Sequence, residues 1–270
     1  TSTLNVGKVW DALVSYSIRE NSDIGITTGT VNPVVGECND NFLNDGQGRH
    51  VQEAHVLQAI DTATATVDEG CVGAGTGTTC YGFKGGIGTA SRQVVDGAYT
   101  VGVLMQTNFG RTAELQMLGV PIGQHFVDNP PHKPDGSVMI VIATDAPLSA
   151  RQLERMAKRA AFGLGRTGTV CHNGSGDFAI AFSTKNRRMH DEQNVTSDGQ
   201  FINEEAHLHT GTVIDSLFRG VVECVEECVY NALTTATTTI GRDGNTYHAL
   251  PHETLLELMR YYRRLPELEK

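Results

Sequence analysis

Residues 137–144 read Ser-Val-Met-Ile-Val-Ile-Ala-Thr, an almost uninterrupted apolar run of strand length. Residues 98–107 contain a second such run and Phe178–Phe182 a third. Strands this apolar need cover on both faces, because a strand with one wet face alternates apolar and polar residues. The cover has to come from other layers. Helical spacing supplies them over 5–19 (Val6, Val9, Trp10, Leu13, Val14, Ile18) and over 50–68 (Val51, His55, Ile60, Ala63). It recurs over 149–164 (Leu153, Met156, Ala157, Ala160, Ala161, Leu164), over 212–233, and over 251–263 behind Pro251. A short strand is expected at Val34–Glu37. Helices and strands are interspersed, with no internal repeat and no long linker, so a layered α/β sandwich in one domain follows over the 270 residues.

Charge narrows the partners. The chain has 31 acidic and 21 basic residues, a net charge of -10, which disfavours nucleic acid or an anionic membrane surface. No apolar run reaches membrane-spanning length and no signal peptide is visible, so a cytoplasmic location is favoured. Six cysteines are spread through a chain too large to need disulfide staples. Cys224 and Cys228 share a helix face as buried thiols, and Cys71 and Cys80 could pair across a glycine loop. The histidines make no His-Glu-x-x-His pattern, and His207-x-His209 sits in polar surroundings. Neither a metal nor another cofactor is expected. The glycine run 73–88 lacks the Gly-Lys-Ser/Thr of a phosphate loop and the spacing of a dinucleotide fingerprint. Asn173-Gly-Ser-Gly-Asp177 is too short for a nucleophile elbow and reads as a tight turn before a strand. Asn173 and Asn194 each match the glycosylation acceptor pattern.

One break stands out. Residues 127–136 hold Pro130, Pro131, Pro134 and Gly136, and Ser137 then opens the most apolar strand. Cutting the bond between Gly136 and Ser137 would give one residue both a hydroxyl nucleophile and an α-amine with a pKa of about 8, a ready base at neutral pH. Taken alone, a serine opening a strand is an ordinary turn residue.

Several motifs in fixed order make the pattern specific. They are Gly73-Ala-Gly-Thr-Gly with Cys80-Tyr-Gly-Phe-Lys-Gly-Gly-Ile-Gly-Thr-Ala-Ser-Arg92, then Val101-Gly-Val-Leu with Asn108-Phe-Gly-Arg111. Gly136-Ser137 with Ala143-Thr-Asp-Ala-Pro-Leu148 follows, then Asn173-Gly-Ser-Gly-Asp-Phe, Gly241-Arg-Asp-Gly and His248-Ala-Leu-Pro-His252. In these the chain resembles the self-processing L-aminopeptidase/D-amidase-esterases and β-peptidyl aminopeptidases, serine peptidases of the N-terminal nucleophile type. The resemblance covers nearly all of the chain.

It implies a four-layer αββα sandwich akin to N-terminal nucleophile hydrolases. It implies self-cleavage between Gly136 and Ser137 into 1–136 and 137–270, two chains that stay together, in a homotetramer. Ser137 is then the nucleophile, Asn108 the oxyanion asparagine, and Ser175 and Asp177 its supporting serine and acid. Asn108 is expected to serve self-cleavage as well as turnover. Glu37 and Asp177 are candidates to hold a substrate ammonium. Asn39 stands where the family has a tyrosine, which affects substrate range or rate. The part of the family fold upstream of Thr1 is absent from the sequence. The implied substrates are short peptides, amides or esters with a free amino terminus and a small first residue. Two alternatives accompany this reading: an acyltransferase like the ornithine acetyltransferases, whose nucleophile is threonine, and a non-catalytic relative.

Overall fold

The apolar runs become the middle of one sheet. In the computed structural model, which describes residues 1–126, 136–185 and 211–266, the main elements follow in this order. Helices α1 (Val6–Glu20) and α2 (Glu53–Asp61) come first, then strands β1 (Ile87–Val94), β2 (Tyr99–Asn108) and β3 (Ser137–Thr144). Helices α3 (Ala150–Ala157) and α4 (Ala160–Arg166) lead to β4 (Gly176–Ser183), and α5 (Thr212–Thr234) and α6 (His252–Tyr261) close the chain. The sheet order is β1-β2-β3-β4; β1, β2 and β3 pair antiparallel, and β3 and β4 pair parallel. A parallel pair needs a crossover, and α3 and α4 provide it.

Alternation assigns the two faces. Val138, Ile140, Ile142 and Thr144 of β3 are buried, as are Val101, Val103 and Met105 of β2. The 23-residue helix α5 lies on that face, with Val221, Cys224, Val225, Cys228 and Val229 all 0% exposed. Each such aliphatic side chain contributes about 1.5–3 kcal/mol on full burial. The thiols of Cys224 and Cys228 donate to the carbonyls of Val101 and Val103, and burial pushes both well above the ordinary thiol range. They are free, as are Cys71 and Cys80, so the pairing open to those two is not made.

The other face carries Leu104, Met139, Val141, Phe178, Ile180 and Phe182, and Phe178 is 63% exposed. A stretch around Val34 and Gly36 runs over part of it, enclosing with Thr1, Leu104, Met139 and Val141 a cavity of about 470 Å³. Among the described residues, α5 thus covers one face of the four-stranded sheet, and α1 and α2 pack on each other.

Three expectations need correction. The 50–68 helix stops at Asp61, because Thr62 and Thr64 turn their hydroxyls onto the carbonyls of Gln58 and Thr66. Within it His55 caps rather than packs: its Nδ1 accepts from the Gln52 N–H. The 149–164 helix breaks at Lys158-Arg159, where Arg159 N–H bonds only three residues back, to Met156, and the Arg159 guanidinium stacks on Phe218. Val34–Glu37 is extended without a ladder; its end is held by an isolated bridge between Ser2 and Cys38.

Close approach between α5 and β1 rests on Gly88. A Cβ there would stand 1.9 Å from the Cys228 carbonyl oxygen, which is backbone and has no rotamer to yield. Gly88→Ala should therefore lower unfolding stability by about 1–3 kcal/mol, read from denaturant melts, as overpacking does. An unchanged midpoint would mean that the helix rides higher on the sheet.

Candidate active site

The strand registers build the site. Asn108, the last residue of β2, pairs with Ser137, the first of β3, and Ser137 pairs with Gly176, the first of β4. The Asn108 side chain is buried and fully committed. Its Oδ1 accepts from the Thr79 N–H at 3.3 Å. Its Nδ2 donates to the Asn39 carbonyl at 3.0 Å and to the Ser137 hydroxyl at 3.2 Å. Thr79 is set by a tight hairpin, Thr79–Cys80 against Phe83–Lys84, whose two-residue turn puts Tyr81 at φ 51 and Gly82 at φ 79. Tyr81 is fully buried, and its hydroxyl meets Thr167 at 2.7 Å and accepts from the Thr169 N–H at 3.0 Å. Those bonds offset a left-handed conformation that tyrosine disfavours.

Gly136 lies against Ser175. A Cβ at Gly136 would meet the Ser175 Oγ at 2.9 Å and the Phe109 Cα at 3.4 Å, so a larger residue before Ser137 would displace the Ser175 hydroxyl. The Gly136 carbonyl accepts from the Gly176 N–H at 3.1 Å, continuing the parallel ladder. Ser175 donates to the Asp177 carboxylate at 2.5 Å, a short charge-assisted bond. Asp177 pairs in register with Val138, so it lies with Ser175 below Gly136 rather than on the face of Ser137. The polar turn 171–177 is anchored from behind by the Ser175 N–H on the His172 carbonyl and by the His172 ring on Glu114 at 2.9 Å.

The structure brings Ser137, Asn108, Gly136, Ser175 and Asp177 together. The other two residues, Asn39 and Glu37, lie on the extended segment that meets Asn108. Asn39 reaches the site through its carbonyl, while its exposed side chain accepts from the Asn41 N–H in a local turn. The Glu37 carboxylate takes the Thr3 hydroxyl. Between them, Cys38 is the residue that sequence reasoning missed. It is 0% exposed, its thiol donates weakly to the Gln106 carbonyl at 3.8 Å, and it is near enough to the Ser137 side chain for that hydroxyl to favour the thiolate. Its cue was the alternation of an extended segment: if Glu37 and Asn39 face one way, Cys38 faces the other. Burial pushes the Cys38 thiol up to about 11, against the Ser137 contact that favours the thiolate. His207, His209, Asn194 and the loop residues 127–135 lie outside the described residues.

An apolar central strand that opens on a serine, flanked by an amide donor and preceded by a packed glycine, is the framework of an N-terminal nucleophile hydrolase. Residues 1–247 match the model of peptidase family S58, and the chain belongs to that family. It is 41% identical over 285 residues to the β-peptidyl aminopeptidase BapA of Sphingosinicella microcystinivorans, covering 98% of this chain and 69% of that protein. Among solved structures, the PH0078 protein from Pyrococcus horikoshii OT3 is 48% identical with a TM-score of 0.89, covering 97% of this chain and 72% of the other. The L-aminopeptidase D-Ala-esterase/amidase from Ochrobactrum anthropi is 37% identical with a TM-score of 0.86, over 98% and 73% respectively. It is described as a prototype for the serine aminopeptidases and a new variant of the Ntn hydrolase fold.

Cys38 gives this site a test of its own. With the thiol raised to about 11, the neutral form prevails throughout the working range and thiolate appears only as pH climbs toward that value. At pH 7.5 Cys38 should carry roughly 100-fold less thiolate than an ordinary thiol. Peptide mapping after iodoacetamide treatment of the native protein should find Cys38 unmodified. Rapid alkylation at neutral pH would reveal a thiolate beside Ser137.

Proposed function

We propose that this chain is a self-processing serine aminopeptidase and amidase that releases small N-terminal residues from short peptides, amides or esters. The observation that carries the reading is the Asn108 amide on the Ser137 hydroxyl, with Gly136 packed immediately upstream. Two of the relatives named above support it, one described as a β-peptidyl aminopeptidase and the other as an L-aminopeptidase D-Ala-esterase/amidase.

The reaction is acyl transfer through Ser137. Self-cleavage divides the chain into 1–136 and 137–270 and frees the Ser137 α-amine. The Ser137 Oγ attacks the substrate carbonyl carbon while that amine takes the hydroxyl proton. Asn108 Nδ2 donates to the oxygen as negative charge collects there. The proton passes to the departing amine, the C–N bond breaks, and water releases the acyl group from Oγ. Ser175 and Asp177 hold the strand end where the new amine appears. Glu37 and Asp177 are the carboxylates available to pair with the substrate ammonium, Glu37 by exchanging its bond to the Thr3 hydroxyl and Asp177 by exchanging its bond to Ser175.

Denaturing intact-mass measurement of the active protein should show two pieces meeting at Gly136 and Ser137, and Ser137→Ala should leave one inactive chain. An active protein that remains whole would sink the mechanism. The substrate side is tested by a matched pair, alanine p-nitroanilide and its N-acetyl form. Acetylation removes the ammonium and adds bulk, so kcat/KM should fall by roughly 10²-fold or more, the scale for leaving a charged anchor unpaired. Equal turnover of the two would favour a general amidase.

A further inference from the structure

The oxyanion of self-cleavage and the oxyanion of turnover have different donors in this site. In the uncut chain both hydrogens of Asn108 Nδ2 are spoken for, one by the Asn39 carbonyl and one by Ser137 Oγ. The oxygen that must carry charge during self-cleavage is the Gly136 carbonyl. It points across the ladder to β4, where the Gly176 N–H donates to it at 3.1 Å. Asn108 belongs to β2, on the opposite flank of β3. Reaching the Gly136 oxygen from there would require turning over the peptide that links Gly136 to Ser137. That rotation would break the bond from the Gly176 N–H to the Gly136 oxygen.

We propose that the backbone N–H of Gly176 is the oxyanion donor for self-cleavage, while Asn108 orients Ser137 in that step and becomes the oxyanion donor only in substrate turnover. This revises the expectation that Asn108 serves both, and it rests on the self-processing reading above. Ser137 Oγ bonds to the Gly136 carbonyl carbon, charge collects on the Gly136 oxygen against Gly176 N–H, and the C–N bond breaks as the hydroxyl proton ends on the Ser137 nitrogen. Water then cleaves the ester, leaving a Gly136 carboxylate, a free α-amine and a restored hydroxyl.

The test replaces a single N–H by oxygen. Cell-free synthesis of the full chain with glycolic acid in place of Gly176 makes that backbone link an ester, and cleavage is followed over time by denaturing intact mass. Self-cleavage should slow by roughly 10²-fold, the scale for losing one oxyanion donor. The corresponding hydroxy-acid exchange at Phe178, one ladder step further along β4, should slow it by less than about threefold, because it removes a ladder bond remote from the charge. Asn108→Ala should show the reverse bias: turnover by the cleaved enzyme down by roughly 10²–10³-fold, self-cleavage by tenfold or less. Three results would overturn the proposal: wild-type cleavage by the Gly176 ester, equal slowing by the Phe178 ester, or Asn108→Ala slowing cleavage as much as turnover. An unaltered chain that never cleaves would instead defeat the self-processing reading itself.

Discussion

The pairing registers of β2, β3 and β4 set Asn108 beside Ser137 and Ser137 beside Gly176. A slip of one residue in either ladder would move a partner to the other face of the sheet, since side chains alternate with a period of two. What holds the register is apolar. Val138, Ile140 and Ile142 meet α5 together with Val101, Val103 and Met105, and a one-residue slip would turn either set of three out of that face. The chemistry at the strand ends is therefore positioned by hydrophobic packing farther along the same strands.

A second constraint fixes the orientation of Asn108. The amide must present nitrogen, not oxygen, to Ser137, and the Thr79 N–H on Oδ1 decides this. Thr79 is held by the glycine loop, and the loop closes on an ion. The Lys84 ammonium is 0% exposed and donates to the carbonyls of Gly75, Thr78 and Gly85 at 2.9, 2.9 and 2.6 Å. Burial lowers its pKa, while Cys71 and Cys80 favour the charged form. Three converging carbonyl dipoles stand in for a counter-ion, which is what makes an ammonium tolerable at this depth. The glycines of this loop thus serve close packing around a cation, in keeping with their poor match to a phosphate loop.

Ser137 belongs to the sheet face that α5 does not cover, in line with Met139 and Val141, and Phe178 and Ile180 stand next to them on β4. The nucleophile and its apolar surroundings therefore share one surface. Ser175 and Asp177 sit on the other side, beneath Gly136, where they can act on the backbone at the start of β3 and on the amine that cleavage would create there.

Much of this was legible in the residues. The apolar runs determined that Tyr99–Asn108, Ser137–Thr144 and the segment around Phe178–Phe182 would be strands, and the first two supply the buried face under α5, whereas Phe178, Ile180 and Phe182 of the third are exposed among the described residues, against the expectation of cover on both faces. The 3.6-residue spacing determined α1 and α5 nearly to their ends, and the ordered motifs pointed to the family and to Ser137, Asn108, Ser175 and Asp177. Tertiary structure decided the rest. β1 was hidden inside a glycine-rich stretch, and its glycine at 88 has meaning only once the Cys228 carbonyl lies above it. Cys38 became a neighbour of the nucleophile, and Glu37 a partner of Thr3, only when an extended segment crossed a sheet assembled from residues farther along the chain. Which donor faces the Gly136 oxygen depends on which flank of β3 each strand occupies. Local pattern records burial and helical period, whereas strand order and flank are settled by contacts between residues far apart in the chain.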